Sequence, residues 1–262
     1  MKANKLAALI VTTYIGLIST AHASAPQPVF SPEQEARIGE IAADYLVSHP
    51  EILVTVSRKL QEQQEARKQK MFALSVMENQ ANLLHDPDTP VYGPDNAKVA
   101  VIEFFDYQCV FCSRFAPELE KVMKAQPDVR YLFKEWPIFG GRWEASLQAA
   151  QQGLTVWQQK GPQAYVTYHN AIYATGHNEG KLTAQDIHGA ASKAGLAAPA
   201  PGDHTASLEK NSNLAEALGL TGTPGIIVMP VSGATPNTIT VFPEAVTAER
   251  LQAAIRKASR AQ

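Results

Sequence analysis

Val99-Ala100-Val101-Ile102-Glu103-Phe104-Phe105-Asp106-Tyr107-Gln108-Cys109-Val110-Phe111-Cys112 is the stretch whose reading decides the fold. Val99–Phe105 is apolar except for Glu103 and reads as a buried strand. Ser113–Ala125 (SRFAPELEKVMKA) reads as a helix, with Cys-x-x-Cys at the junction. The first cysteine then meets the unpaired N–H groups and the positive dipole end of the helix, which stabilise its thiolate, the attacking species. The second, nearly one turn on, is close enough to close a disulfide. These are the chain's two cysteines. A structural staple across so tiny a loop constrains the unfolded chain little. A metal reading lacks histidines at ligand spacing, and His169 and His177 read as surface residues.

The start of the chain reads as a secretory signal, residues 1–23. Lys2 and Lys5 precede a largely apolar stretch, Leu6 to Ile18, and Ala21-His22-Ala23 supplies a cleavage site, so the mature chain begins at about Ser24. The apolar stretch is short for a membrane anchor. The formal charge is −2 for the whole chain and −4 without the two leader lysines, which gives no reason to expect a nucleic-acid partner. Export places the cysteine pair in an oxidising compartment, where a redox role is favoured.

Residues 24–60 read as a helical oligomerisation region. Ser31-Pro32-Glu33-Gln34 is a helix start, and Ile38, Ile41, Ala42, Tyr45 and Leu46 line one face until His49-Pro50. A second helix is expected from about Pro50 to Leu84, with Leu53, Val56, Leu60, Leu74 and Met77 at apolar spacing. Its middle, Gln61–Lys70 (QEQQEARKQK), is polar on all sides, as in a solvent-bridging stalk. So short an N-terminal region cannot bury a good core alone, which favours self-association, with a dimer preferred over a trimer. Residues 61–90 read as linker helix and loop, ending in the proline-rich His85–Pro94. Beyond lie a strand at Val129–Phe133, four helices between about 141 and 218, strands at Ile226–Met229 and Thr238–Phe242, and a last helix at Ala248–Ala261. The order predicts an α/β, thioredoxin-like fold over 91–262 with an inserted helical domain.

Glu103–Cys112, with Thr223-Pro224 before a strand and the helical insert, resembles the DsbA-type periplasmic thiol–disulfide oxidoreductases. The N-terminal region is more similar to the oligomeric members, the DsbC/DsbG disulfide isomerases and the ScsC-type proteins. The resemblance implies that Cys109 attacks, that Cys112 resolves, and that Pro224 is cis, presenting the backbone of Thr223 to an extended client segment. It implies misoxidised exported proteins as clients, a membrane thiol reductase of the DsbD type as partner, and no cofactor or metal. Glu103 is expected to move a proton for Cys112. Lys134 is expected to pair with Glu103 or the thiolate, with Glu135 as an equal structural alternative. Tyr107, Phe111 and Trp136 are candidates for an apolar client rim. Val110 and Phe111 place no cation between the cysteines, unlike the Pro-His of strong oxidases, and Thr223 stands where oxidases have valine. Both point toward isomerisation or reduction. A disulfide-donating oxidase and a copper(I)-binding protein are the competing readings.

Overall fold

The computed structural model describes residues 29–197 and 202–260. The expected signal segment, 1–23, lies outside them. The chain divides into two compact units, 1–59 and 60–262.

In the first unit, helix α1 spans Pro32–Ser48. It starts where expected: the Ser31 hydroxyl accepts from the Gln34 N–H, the Gln34 side chain accepts from the Ser31 N–H, and Pro32 follows. No residue of α1 is buried. Ile38, Ile41 and Tyr45 are exposed. Helix α2, Glu51–Glu78, begins with Leu53, Val54, Val56 and Leu60 equally exposed.

The second unit is a five-stranded sheet covered on both faces. The elements in chain order are α3 (Gln80–Leu84), β1 (Val91–Tyr92), β2 (Val99–Phe105), α4 (Val110–Ala125), β3 (Arg130–Glu135), α5 (Glu144–Lys160), α6 (Pro162–Ala174), α7 (Ala184–Lys193), α8 (Thr205–Ala217), β4 (Gly225–Pro230), β5 (Thr240–Phe242) and α9 (Ala248–Ser259). The strand order is β1-β3-β2-β4-β5. Strands β2 and β3 run parallel, and the other pairs are antiparallel. This is the thioredoxin-like fold, with helices inserted between β3 and β4.

Side chains alternate across β2 and so serve two cores. Val99, Val101 and Phe105 join Phe115 and Leu119 of α4, Tyr168 of α6 and Leu251 of α9. Ala100, Ile102 and Phe104 join Leu132, Ile227 and Leu214 on the other face. That second core also takes Phe72, Ala73, Val76, Leu83 and Leu84. Residues read from sequence as linker therefore supply part of the core. The buried stripe of α2 is Phe72, Ala73 and Val76, while Leu74 and Met77 are exposed. The helix also ends six residues earlier than expected, with α3 starting after Asn79.

Gly153 in α5 shows how closely the insert packs. A Cβ there would lie 2.6 Å from Glu135 Oε1 and 3.1 Å from the Tyr168 ring. Gly153→Ala is expected to cost about 1–3 kcal/mol through overpacking, read as a lower Tm with the fold retained.

Candidate active site

Asp106 shapes the loop that delivers Cys109. Its buried carboxylate accepts from the Gln108 N–H at 2.7 Å, the Phe139 N–H at 2.9 Å and the Ser146 hydroxyl at 2.8 Å. Its carbonyl accepts from the Cys109 N–H at 3.0 Å and from the Tyr173 hydroxyl at 3.2 Å. An Asp that bonds its own backbone two residues on is a turn former, and that is the one local signal that could have singled it out.

Cys109 is the N-cap of α4, and its sulfur accepts from the Cys112 N–H at 3.4 Å. Its thiol donates to the Thr223 carbonyl at 3.2 Å, across a cis Thr223–Pro224 bond. The Cys112 thiol, the Thr223 side-chain hydroxyl and the N–H groups of Cys112 and Phe111 outweigh burial and lower the Cys109 pKa to about 6. No side-chain donor comes from Val110 or Phe111. Cys112 is fully buried, and burial holds its thiol well above the ordinary range. The two sulfurs are thus driven apart, one toward thiolate and one toward thiol.

Glu103 lies on the same face of β2 as Phe105. It is 1% exposed, and neither carboxyl oxygen has a hydrogen-bond partner. Burial, with a further push from charge at Cys109, raises its pKa to about 8.

Lys134 does not meet Glu103 or the thiolate. Glu103 stands opposite Phe133 and Phe104 opposite Lys134, so the pleat sends the lysine to the other side of the sheet. There its ammonium pairs with Asp86 at 2.9 Å and donates to Asn82 and Thr89. Glu135 shares the Glu103 side and accepts from Tyr107 at 3.1 Å and Tyr165 at 2.7 Å.

His169 corrects a second expectation. It is 1% exposed in α6, not a surface residue. Its Nε2 lies 4.0 Å from Glu103 Oε2. The signal was in the helix pattern: Tyr165, Tyr168, His169, Ile172 and Tyr173 share one buried stripe. His177 is exposed, as read, and pairs with Asp186.

Of the three rim candidates, only Phe111 is exposed, with the Arg114 guanidinium 5.6 Å from its ring centroid. Tyr107 and Trp136 are buried, Trp136 donating to the Ser212 hydroxyl. Among the described residues no cluster of three or more His, Cys, Asp or Glu side chains could hold a metal ion.

Residues 85–256 match the thioredoxin family model. Residues 34–67 match the copper resistance protein ScsC N-terminal domain. Among solved structures, BcfH of Salmonella enterica Typhimurium is 38% identical, with 86% of this chain and 96% of that one covered, at a TM-score of 0.71. ScsC of Proteus mirabilis, in a transitional conformation, is 28% identical over 88% and 98%, at 0.60. A periplasmic thioredoxin-like protein from Salmonella enterica serovar Typhimurium is 29% identical over 68% and 95%, at 0.58. Disulfide bond formation protein D of Bacillus subtilis (strain 168) is 32% identical over 88 residues, a match that spans 32% of this chain and 38% of the Bacillus protein. With its Cys109–Cys112 pair at the head of α4, this chain belongs to the thioredoxin family, as a thiol–disulfide oxidoreductase whose residues 34–67 match the ScsC N-terminal domain.

Proposed function

We propose that this protein is a periplasmic disulfide isomerase and reductase that works as an oligomer on misoxidised exported proteins. The observation that carries this reading is the bare apolar face of the first unit. A 17-residue helix that buries none of its own side chains is held by something outside the chain, and a second copy offers the same face. Two or more catalytic units on one assembly raise the effective concentration of client around each site.

The sulfur chemistry supports the same reading. A Cys109 pKa of about 6 lies between roughly 7 for thioredoxin and roughly 3.5 for DsbA. A less stabilised thiolate goes with a less oxidising disulfide, which suits a couple that a membrane thiol reductase of the DsbD type keeps reduced. Reduced Cys109 attacks one sulfur of a wrong client disulfide. An S–S bond forms to Cys109 as the client bond breaks, and the other client sulfur leaves as thiolate. That thiolate attacks elsewhere in the client. When a client thiolate finally displaces Cys109, no net electrons have moved. In a stalled complex Cys112 attacks the Cys109 sulfur, losing its proton to Glu103 once that carboxyl has ionised. The client then leaves with two electrons gained, and the Cys109–Cys112 disulfide awaits the reductase.

Copper binding has less behind it. The segment matching the copper resistance domain, 34–67, contains no cysteine or methionine and one histidine, His49.

The test pairs function with mass. The full mature chain is expected to reactivate a scrambled disulfide protein and to run as a dimer, with a trimer as the other assembly. Ile41→Glu, on the bare face, is expected to yield a monomer that has lost most isomerase activity and keeps its Cys109 reactivity. A wild type that only oxidises reduced substrates, unchanged by Ile41→Glu, would establish the oxidase instead. Deleting residues 24–84 is the wrong variant, because it removes Phe72, Val76, Leu83 and Leu84 from the core.

A further inference from the structure

Glu103 is sealed in. A carboxyl that serves Cys112 must pass its proton on, yet both its oxygens are buried without partners. Facing it is a second group in the same state. His169 Nε2 is buried, has no hydrogen-bond partner, and lies 4.0 Å from Glu103 Oε2. A shift of about 1 Å brings that pair to hydrogen-bond length. On the far side of the ring, Nδ1–H donates to Asn170 Oδ1 at 3.0 Å. Asn170 is half-buried and lines the open cleft between α4 and α6, together with Ser113, Pro117, Glu120 and Tyr173.

We propose that His169 is the proton relay between Glu103 and the solvent of the α4–α6 cleft, so that Cys112 can be deprotonated inside a closed core. This rests on the proton-transfer role proposed for Glu103. The balance is one proton in and one out, with no electrons moved. The Glu103 carboxyl first passes its proton to His169 Nε2, and the imidazolium loses the Nδ1 proton to water beside Asn170. The carboxylate so formed takes the Cys112 proton as the Cys112 sulfur attacks Cys109. Reversal through the other tautomer resets the ring. His169 touches neither sulfur and acts through Glu103, so it is a positioning residue.

The surroundings keep any charge on the ring short-lived. Phe105, Phe133 and Tyr173 surround the ring at centroid distances of 5.1, 5.1 and 4.9 Å. Desolvation lowers the His169 pKa to about 4 and raises that of Glu103 to about 8, so both rest neutral at pH 7. The other titratable groups around the pair are Asp106, Tyr107, Cys109 and Cys112, Glu135 on β3, Tyr165 and Tyr173 on α6, and Glu120 on α4.

The experiment uses the full mature chain carrying a thionitrobenzoate mixed disulfide on Cys109. Release of the chromophore reads attack by Cys112. In His169→Phe, release at pH 7 is expected to slow about tenfold and to recover as imidazole buffer is raised, with the redox equilibrium and Tm unchanged. Slowing that ignores buffer, or that comes with a shifted redox equilibrium, overturns the relay in favour of packing. Slowing in Glu103→Gln but not in His169→Phe overturns the relay and leaves Glu103 its role. Slowing in neither removes the role of Glu103 and the relay with it. Should His169→Phe not fold, nitrogen-15 spectra of the unaltered protein decide. His169 is expected as the Nδ1–H tautomer, with an Nε2 shift that follows a titration near pH 8. The Nε2–H tautomer, or an Nε2 shift flat through that range, overturns the proposal.

Discussion

Cys109→Ser is expected to abolish isomerase and reductase activity, by roughly 10³-fold or more, while leaving the fold intact. A serine hydroxyl keeps the helix cap but is a very weak nucleophile at neutral pH, and no base adjoins it to activate it. Cys112→Ser is expected to behave differently: client attack proceeds, and stalled mixed disulfides accumulate on Cys109 because Cys112 no longer resolves them. Alkylation of wild-type Cys109 reports the cause. Its pKa is lowered to about 6, so the thiolate is the form favoured above that value. The alkylation rate is therefore expected to rise with pH through about 6 and to level off near 7, where an ordinary cysteine is still mostly thiol. A midpoint near 8.5 would show that the cap and the Cys112 thiol do not stabilise the thiolate.

Glu103→Gln is expected to stabilise the reduced protein, increasingly so with rising pH. In the folded state Glu103 titrates near 8, against 4.5 for an ordinary glutamate. Between those values the unfolded chain has released the proton and the native state still holds it, so wild-type stability falls as pH rises. The penalty is absent at pH 4, reaches roughly 3 kcal/mol at pH 7 and roughly 5 kcal/mol at pH 9. Glutamine is a neutral isostere and removes it. Denaturant titrations of both proteins at those three pH values check this. A constant difference would mean that Glu103 is not held protonated. The same variant is expected to slow resolution by Cys112 tenfold or more, because the general base is gone. A buried carboxyl that costs stability at working pH and speeds one step is a common trade at active sites.

Much of this was legible along the chain. Val99–Phe105 announced a strand by being apolar, and Cys109 announced a helix cap by its place before Ser113–Ala125. Capping residues announced α1, and Gly and Pro punctuation separated the four inserted helices. What misled was residue type read without its neighbours. Histidine's polarity favours the surface, yet Tyr165, Tyr168, Ile172 and Tyr173 put His169 on the buried stripe of α6. Lys134 follows β3, β2's parallel partner, toward the cysteines, yet it does not reach Glu103 or the thiolate. One residue of register sends it through the sheet to Asp86. Residues 61–90 looked like a linker because the polar run before Phe72 hides the change of burial that follows it.

By itself the sequence determined the strand–helix order and the Cys-x-x-Cys pair at a helix start, because local periodicity and dipole placement need no distant partner. It also carried the apolar face of α1, which no part of the chain needs to be folded to reveal. Only the tertiary structure decided which charged groups reach the sulfurs. Glu103 and His169, 66 residues apart, meet because parallel pairing of β2 with β3 and packing of α6 bring them to one face. Lys134 is lost to the other face by the same pleat. Contacts of that kind depend on register and on which helix covers which face, and burial then sets their protonation, so none of them is written in local sequence.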